Sequence, residues 1–219
     1  MTVKSFSSEG SSPLWERVQG EGVKMERVLK TPIEENEVRK LQAGDVFYLT
    51  GLLVTARDEA HRKLLERGSP VPLEGLAIFH CGPVVQKKGT EWEVVAAGPT
   101  TSARMELFEA DFLRRFKPRV IVGKGGMGEK TLQALAEVGA VYAHFTGGAG
   151  VLAAQAIKRV REVHWLEELG IPEAIWVFEV ESFGPLVVAM DSHGRSLYKE
   201  LSAQVEKNME AIRARIRGK

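Results

Sequence analysis

The 219-residue chain has one cysteine, Cys81. A single thiol excludes an internal disulfide and any self-contained cysteine-rich metal site. Cys81 follows the apolar stretch 76–80 and is expected to be a small buried residue. No apolar run reaches the roughly 18 residues of a membrane span. Residues 1–22 are rich in Ser and Gly and lack the apolar centre of a secretory signal, so a flexible leader and a cytoplasmic location are expected. Charge of one sign is also missing. Thirty basic residues stand against 29 acidic ones, a balance of +1, which gives no general attraction to nucleic acid.

Hydrophobic residues make up 44%, enough for a full core in one domain. Segments 23–30, 44–56, 76–80 and 92–97 are apolar and β-branched and predict strands, with helices over 33–42 and 57–67, the second opening at Asp58 as N-cap. From residue 98 the pattern alternates. Helices are predicted over 103–116, 128–138 and 151–163, and strands over 119–122 and 140–145. Two strands follow, 174–181 and 186–190, joined as a hairpin through Phe183-Gly184-Pro185, and then a charge-rich helix over 196–217. These imply an α/β fold with a flexible segment 1–22, a main domain 23–198 and a terminal helix 199–219.

Three segments share one design: an apolar strand, a small-residue turn carrying a basic side chain, then a helix. They are Leu53-Val54-Thr55-Ala56-Arg57-Asp58, Gly98-Pro99-Thr100-Thr101-Ser102-Ala103-Arg104-Met105 and Val122-Gly123-Lys124-Gly125-Gly126-Met127-Gly128. Strand ends in open α/β sheets collect ligands, and helix N-termini favour anions. With Arg57, Arg104 and Lys124 the sum is a site for a small, doubly charged acid, because arginine grips a carboxylate in bidentate fashion and lysine supplies a point charge. The bland alternative is a set of solvated cations, with Thr100, Thr101 and Ser102 acting only as a capping cluster.

Gly123, Gly125 and Gly128 also fit the dinucleotide fingerprint, but the next strand, 141–145, ends without the acidic residue that would hold a ribose. His61, one turn beyond Arg57, could reach the same site. His80, beside Cys81, reads as structural. The terminal helix interleaves Lys199, Lys207, Arg213, Arg215 and Arg217 with Glu200, Glu206 and Glu210, as a solvated or interface-facing helix does.

Thr55-Ala56-Arg57-Asp58-Glu59-Ala60-His61 resembles the T-[GA]-R-D-x-A-H signature of the β subunits of class I fumarases and L-tartrate dehydratases. Gly98 to Met105 resembles their G-P-T-T-[SA]-x-R-M signature, Gly123-Lys124-Gly125 looks like their lysine–glycine turn, and the order agrees. The resemblance implies a swivelling β/β/α domain, with a three-layer mixed sheet and flanking helices. It implies reversible hydration of a C4 dicarboxylate, fumarate to malate first and tartrate dehydration next. Arg57, Arg104 and Lys124 would contact substrate carboxylates, with Thr101 and His61 close by, and Thr100 would be the acid/base. A partner α subunit would hold a [4Fe–4S] cluster through three cysteines, in a homodimeric or α2β2 assembly without nucleic acid or membrane. A non-catalytic carboxylate-binding or assembly module is the alternative. The sequence departs from the family in loop 84–91, which lacks the usual proline, and in the extra glycine after Lys124-Gly125.

Overall fold

A computed structural model describes residues 27–217. The expected leader 1–22 and the first part of the expected strand 23–30 lie outside the described residues. The chain runs β1 (Arg27–Lys30), α1 (Glu35–Val38), β2 (Val46–Thr55), α2 (Asp58–Arg67), β3 (Ala77–Phe79), β4 (Val84–Lys88) and β5 (Glu91–Ala96). A 3-10 turn at Ser102–Met105 leads into α3 (Glu106–Phe116), followed by β6 (Val120–Gly123), α4 (Glu129–Val138) and β7 (Val141–His144). Then come α5 (Gly150–Ala156), β8 (Ile157–His164), α6 (Leu166–Leu169), β9 (Ile175–Met190) and α7 (Leu197–Arg217).

Strands β2, β3, β6 and β7 are parallel neighbours, and β9 runs antiparallel to β7. The long β9 also pairs antiparallel with β2, from Val46↔Val187 to Val54↔Val177, which closes β2-β3-β6-β7-β9 into a ring. β1 and β8 extend it. Side chains alternate across this wall as strand geometry requires. Leu53, Phe79, Val122, Ala143, Trp176 and Phe178 point into the ring, where they meet Phe47, Phe183 and Val188. Val54, Ile78, Ile121, Tyr142 and Val177 point outward beneath Ala60 and Leu64 of α2, Phe112 and Leu113 of α3, and Leu132 and Leu135 of α4. The result is a mixed α/β fold with a helical layer on one face. The β4–β5 hairpin, α5 and β8 cover the other, packing Trp92, Val94, Ala156 and Ile157 against the ring interior. Among the described residues no helix is long and apolar enough to cross a membrane.

Four sequence expectations change. The predicted helix 151–163 ends at Ala156 and continues as strand β8. Ile157, Val160 and Val163 recur every three residues, which reads as a helix. In the fold they share the core-facing side because register shifts fall between Ile157 and Arg159 and again between Val160 and Glu162. Each bulge adds a residue to the period of two. The predicted hairpin at Phe183-Gly184-Pro185 is instead an irregularity inside one strand, β9. Phe183 stays buried opposite Leu49, and a side chain at Gly184 would sit 2.8 Å from the Tyr48 ring. The predicted helix 33–42 is regular only over Glu35–Val38, and the chain then turns through Gly44 at φ +98°. Loop 84–91 contains β4 and the first residue of β5, joined by a two-residue Gly89-Thr90 turn with Gly89 at φ +67°.

Candidate active site

The parallel strands bring their C-terminal ends to one edge of the ring, where two of the three basic turns follow strands of the ring and the third arrives from the β4–β5 hairpin. Arg57 follows β2, Lys124 follows β6, and the segment carrying Thr100 to Arg104 crosses between them. That segment is tied down by backbone contacts. Cys81 and Pro99 form an isolated bridge, as do Thr101 and Lys124. The Thr100 N–H donates to His80 C=O at 2.6 Å, and the Ser102 N–H donates to Lys124 C=O at 3.0 Å. The close approach of this segment to β6 depends on Gly123. A Cβ there would overlap Ser102 Oγ and sit 3.2 Å from His80 Nδ1.

Asp58 joins the two arginines. Arg104 Nε donates to Asp58 Oδ1 at 3.0 Å and its Nη2 lies 2.8 Å from Oδ2, while Arg57 Nε is 3.6 Å from that same Oδ2. Asp58 is thus the first residue of α2 and an ion-pair partner. The helix N-cap is Arg57, in an extended conformation without a side-chain capping bond. Arg57 Nε also lies 2.9 Å from Glu173 Oε1, and Glu173 Oε2 accepts the Glu59 N–H at 3.1 Å. Burial holds the Glu173 carboxyl above its ordinary range, with Arg57 opposing.

An internal carboxylate therefore already occupies the N-terminus of α2. The same holds for α4, where Glu106 accepts the Gly128 N–H at 2.6 Å and the Thr131 hydroxyl at 2.8 Å. Exposed helix N-termini, expected to attract the anion, are not what this edge offers. It offers side-chain cations. Arg104 is half exposed, Arg57 about one-fifth exposed, and Lys124 partly exposed beside Gly147. Lys124 makes no ion pair among the described residues. Thr100 is half-buried with its hydroxyl unbonded among the described residues, and Thr101 is exposed.

His61 is placed differently from expectation. Its side chain is fully buried beneath Arg57, with Nδ1 3.0 Å from the Arg57 carbonyl oxygen and Nε2 3.4 Å from Glu109 Oε2. This imidazole therefore faces the interior and not the surface that carries the three cations. Sequence reading overlooked Asp58 as a partner of both arginines. It also overlooked Glu109, Glu173 and Tyr142, which come from segments without any motif. Grooves of about 490 and 460 Å³ lie elsewhere, along Trp92 and Arg159 between β5 and β8, and the cations line neither.

Residues 3–201 match the family described as Fumarase C-terminus. The β subunit of L(+)-tartrate dehydratase from Escherichia coli K12 is 48% identical over 178 residues, covering 80% of this chain and 88% of that protein. The protein of the same name from Shigella boydii serotype 4 is 47% identical over the same span. A Geobacillus stearothermophilus protein, provisionally named class I fumarate hydratase, is 48% identical over 174 residues, which is 79% of this chain but 34% of that protein. With the matched residues spanning both arginine turns and the lysine turn, the chain belongs to the Fumarase C-terminus family, the family of class I fumarate hydratases and tartrate dehydratase β subunits.

Proposed function

We propose that this chain is the β subunit of a hydro-lyase that adds water to, or removes it from, a C4 dicarboxylate, and that it supplies the grip on the substrate's carboxylates. The observation that carries this reading is the run of cations along one strand edge. Arg57 and Arg104 meet at Asp58, and Lys124 stands on the neighbouring turn without an acidic partner among the described residues. The names of the two-chain relatives favour tartrate as substrate. The longer fumarase-named relative supports fumarate as the second reading. The ring of strands with helices on one face supports assignment to the swivelling β/β/α domains.

An iron–sulfur cluster takes about three or four thiolates. This chain has Cys81 alone, fully buried, with its thiol pushed up by burial. The residues present do not fit a cluster, and we assign its cysteines to a partner α subunit in a homodimeric or α2β2 assembly. What this chain does to the substrate is electrostatic. Removing a proton next to a carboxylate builds negative charge on that group. Preorganised donors such as the Arg104 fork stabilise it by about 3 kcal/mol each. Arg57 fixes the same end, and Lys124 the other. We assign the proton transfer to Thr100, whose hydroxyl has no partner among the described residues and which shares a turn with Arg104. Thr101 lines the approach.

The glycine turn does not support a dinucleotide site. Glu106 already holds the Gly128 N–H and Thr131, where a pyrophosphate would have to sit. The test is anaerobic reconstitution with the cluster-bearing partner and a panel of L-tartrate, fumarate and mesaconate. Turnover of one of these supports the reading, and none leaves the non-catalytic module. In the active assembly Thr100→Val is expected to abolish turnover. A rate within a few fold of wild type removes Thr100 from the mechanism.

A further inference from the structure

Beneath the cationic edge lies a polar chain sealed from solvent. It runs from the Arg57 carbonyl to His61 Nδ1 at 3.0 Å, from His61 Nε2 to Glu109 Oε2 at 3.4 Å, and from Glu109 Oε2 to His80 Nε2 at 3.1 Å. It continues from His80 Nδ1 to Ser102 Oγ at 2.9 Å, from Ser102 Oγ to Tyr142 Oη at 3.0 Å, and from Tyr142 Oη to the Gly125 carbonyl at 2.8 Å. His61, His80, Ser102 and Glu109 are all fully buried, and the Tyr142 residue likewise. One end is the backbone of Arg57. The other is the glycine next to Lys124. The middle holds Ser102, inside the turn of Thr100 and Arg104, while the His80 backbone carbonyl accepts the Thr100 N–H.

We infer that Glu109 is a positioning residue for the cation site: its carboxylate holds His61 and His80, and through them the backbone of Arg57 and the turn that bears Thr100 and Arg104. This rests on the hydro-lyase reading above.

The proton directions follow from the partners. Both ends of the chain are carbonyl oxygens, which only accept. Five protons can serve the six links if the Tyr142 hydroxyl shares its proton between Gly125 O and Ser102 Oγ, whereas two neutral imidazoles, one serine and one tyrosine supply four. His61 faces acceptors on both nitrogens, a carbonyl and a carboxylate, and is satisfied as an imidazolium paired with ionised Glu109. That pair is neutral overall, which suits a dry interior. His80 then stays neutral, with its Nε2 proton on the side of Glu109 at 3.1 Å and the Ser102 hydroxyl donating to Nδ1. Tyr142 donates to Gly125. Burial, the largest influence, lowers the basicity of His80, in keeping with this arrangement. Burial pushes the Glu109 carboxyl up, but the imidazoles beside it, His61 carrying the positive charge, outweigh burial and hold it below its ordinary range. Asp58 and Tyr142 are the other titratable groups facing the network. The Nε2 contacts lie off the N–H direction, so neither counts as a directed hydrogen bond and the link is one of charge. A neutral amide at position 109 would not replace it.

The experiment has two arms. Imidazole nitrogen spectra of the full chain with 15N-labelled histidine, together with elemental analysis, read the network directly. We expect one buried ring protonated on both nitrogens, assigned to His61 by its loss in His61→Gln, one ring protonated on Nε2 only, and no stoichiometric metal. The three donor groups lie within 4.8 Å of one another, so a bound divalent ion is the competing occupant. Stoichiometric metal, or two neutral rings, would overturn the inference. In the reconstituted enzyme Glu109→Gln is expected to lower kcat by about 100-fold, as misplacement of about 1 Å in a site does, with KM changed less than kcat. Glu109→Asp, which keeps the charge but draws it back, should fall between. Wild-type kcat and KM in Glu109→Gln, with only a lower Tm, would make Glu109 a core residue and nothing more. If Glu109→Gln does not fold, Glu109→Asp and the wild-type spectra decide. Arg104→Lys in the same assembly separates the two failures: full activity there removes the cation clamp that Glu109 is held to position, whereas a loss there beside a wild-type Glu109→Gln overturns the inference alone.

Discussion

Arg104 closes on Asp58 through two contacts, Nε to Oδ1 at 3.0 Å and Nη2 to Oδ2 at 2.8 Å, and Arg57 Nε lies 3.6 Å from that second oxygen. One internal carboxylate thus sets the spacing of two cations that follow different strands. The edge of the Arg104 fork used for Asp58 leaves its remaining N–H groups for a substrate. We expect Asp58→Asn to leave the fold intact and lower kcat/KM about tenfold, because a loosened guanidinium must be ordered again at each turnover. Steady-state rates in the reconstituted enzyme decide. A gain in kcat/KM would mean that Asp58 competes with the substrate.

Replacing Arg104 itself should cost more. Lysine keeps the charge, but it cannot hold Asp58 and a second carboxylate in one plane. Arg104→Lys is expected to reduce kcat/KM by at least about 100-fold. A rate close to wild type would remove the clamp from the mechanism.

The motifs could be read without a structure because each concentrates its chemistry in consecutive residues. Thr55 to His61 and Gly98 to Met105 announce their arginines, and Lys124 stands between two glycines. What lies around them was not legible. Glu109 belongs to an amphipathic helix and Tyr142 to a buried strand, where a periodicity argument assigns them to a face and no further. Glu173 lies far along the chain and reaches the N-terminus of α2 only because β9 pairs with β2. His61 belonged to a motif and was still misplaced, since sequence shows that it shares a helix with Arg57 and not that its ring points inward. In the fold, β8 was lost for a related reason. Its bulges imitate the spacing of a helix, and only the partner strand reveals them.

Acid should act through the buried carboxylate. Burial raises the Glu109 carboxyl, but its imidazole neighbours hold it at about 2 in the folded chain, against an ordinary 4.5. A carboxyl depressed on folding contributes stability that is complete above its unfolded value and is lost as pH falls through that value toward the folded one. Urea unfolding of wild type should therefore weaken from about pH 5 to about pH 2. Glu109→Gln should be less stable at neutral pH and show a shallower decline over that interval. Parallel curves for the two proteins would assign acid lability to other groups.

Gly123→Ala tests the close approach of the Thr100–Arg104 turn. The new methyl would overlap Ser102 Oγ and stand 3.2 Å from His80 Nδ1, and both atoms belong to the sealed chain. Neither can retreat without breaking a buried hydrogen bond. Overpacking of this kind costs about 1–3 kcal/mol, and an orphaned buried polar group adds to it. Chemical denaturation should show a loss of about 2 kcal/mol or more. An alanine tolerated at wild-type stability would mean that the turn can lift, and the glycine would then have no packing reason to be there.

Gly82→Ala probes Arg57 without touching its charge. A Cβ at position 82 would lie 2.7 Å from Arg57 Nη1 and 2.7 Å from the Pro172 carbonyl oxygen. The flexible guanidinium can swing away, but the equally close backbone oxygen of Pro172, next to Glu173, must give as well, so both sides of the Arg57–Glu173 pair are disturbed. Displaced, the guanidinium keeps its ion pair less well and presents a different angle to the ligand. Binding should suffer before chemistry does. KM for the dicarboxylate is expected to rise several-fold, with kcat reduced less, because Arg104 and Thr100 keep their places. Equal loss in both constants would show that Arg57 acts in the transition state. An unchanged KM would mean that Arg57 is held by Glu173 for the sake of the fold and takes no part in the grip.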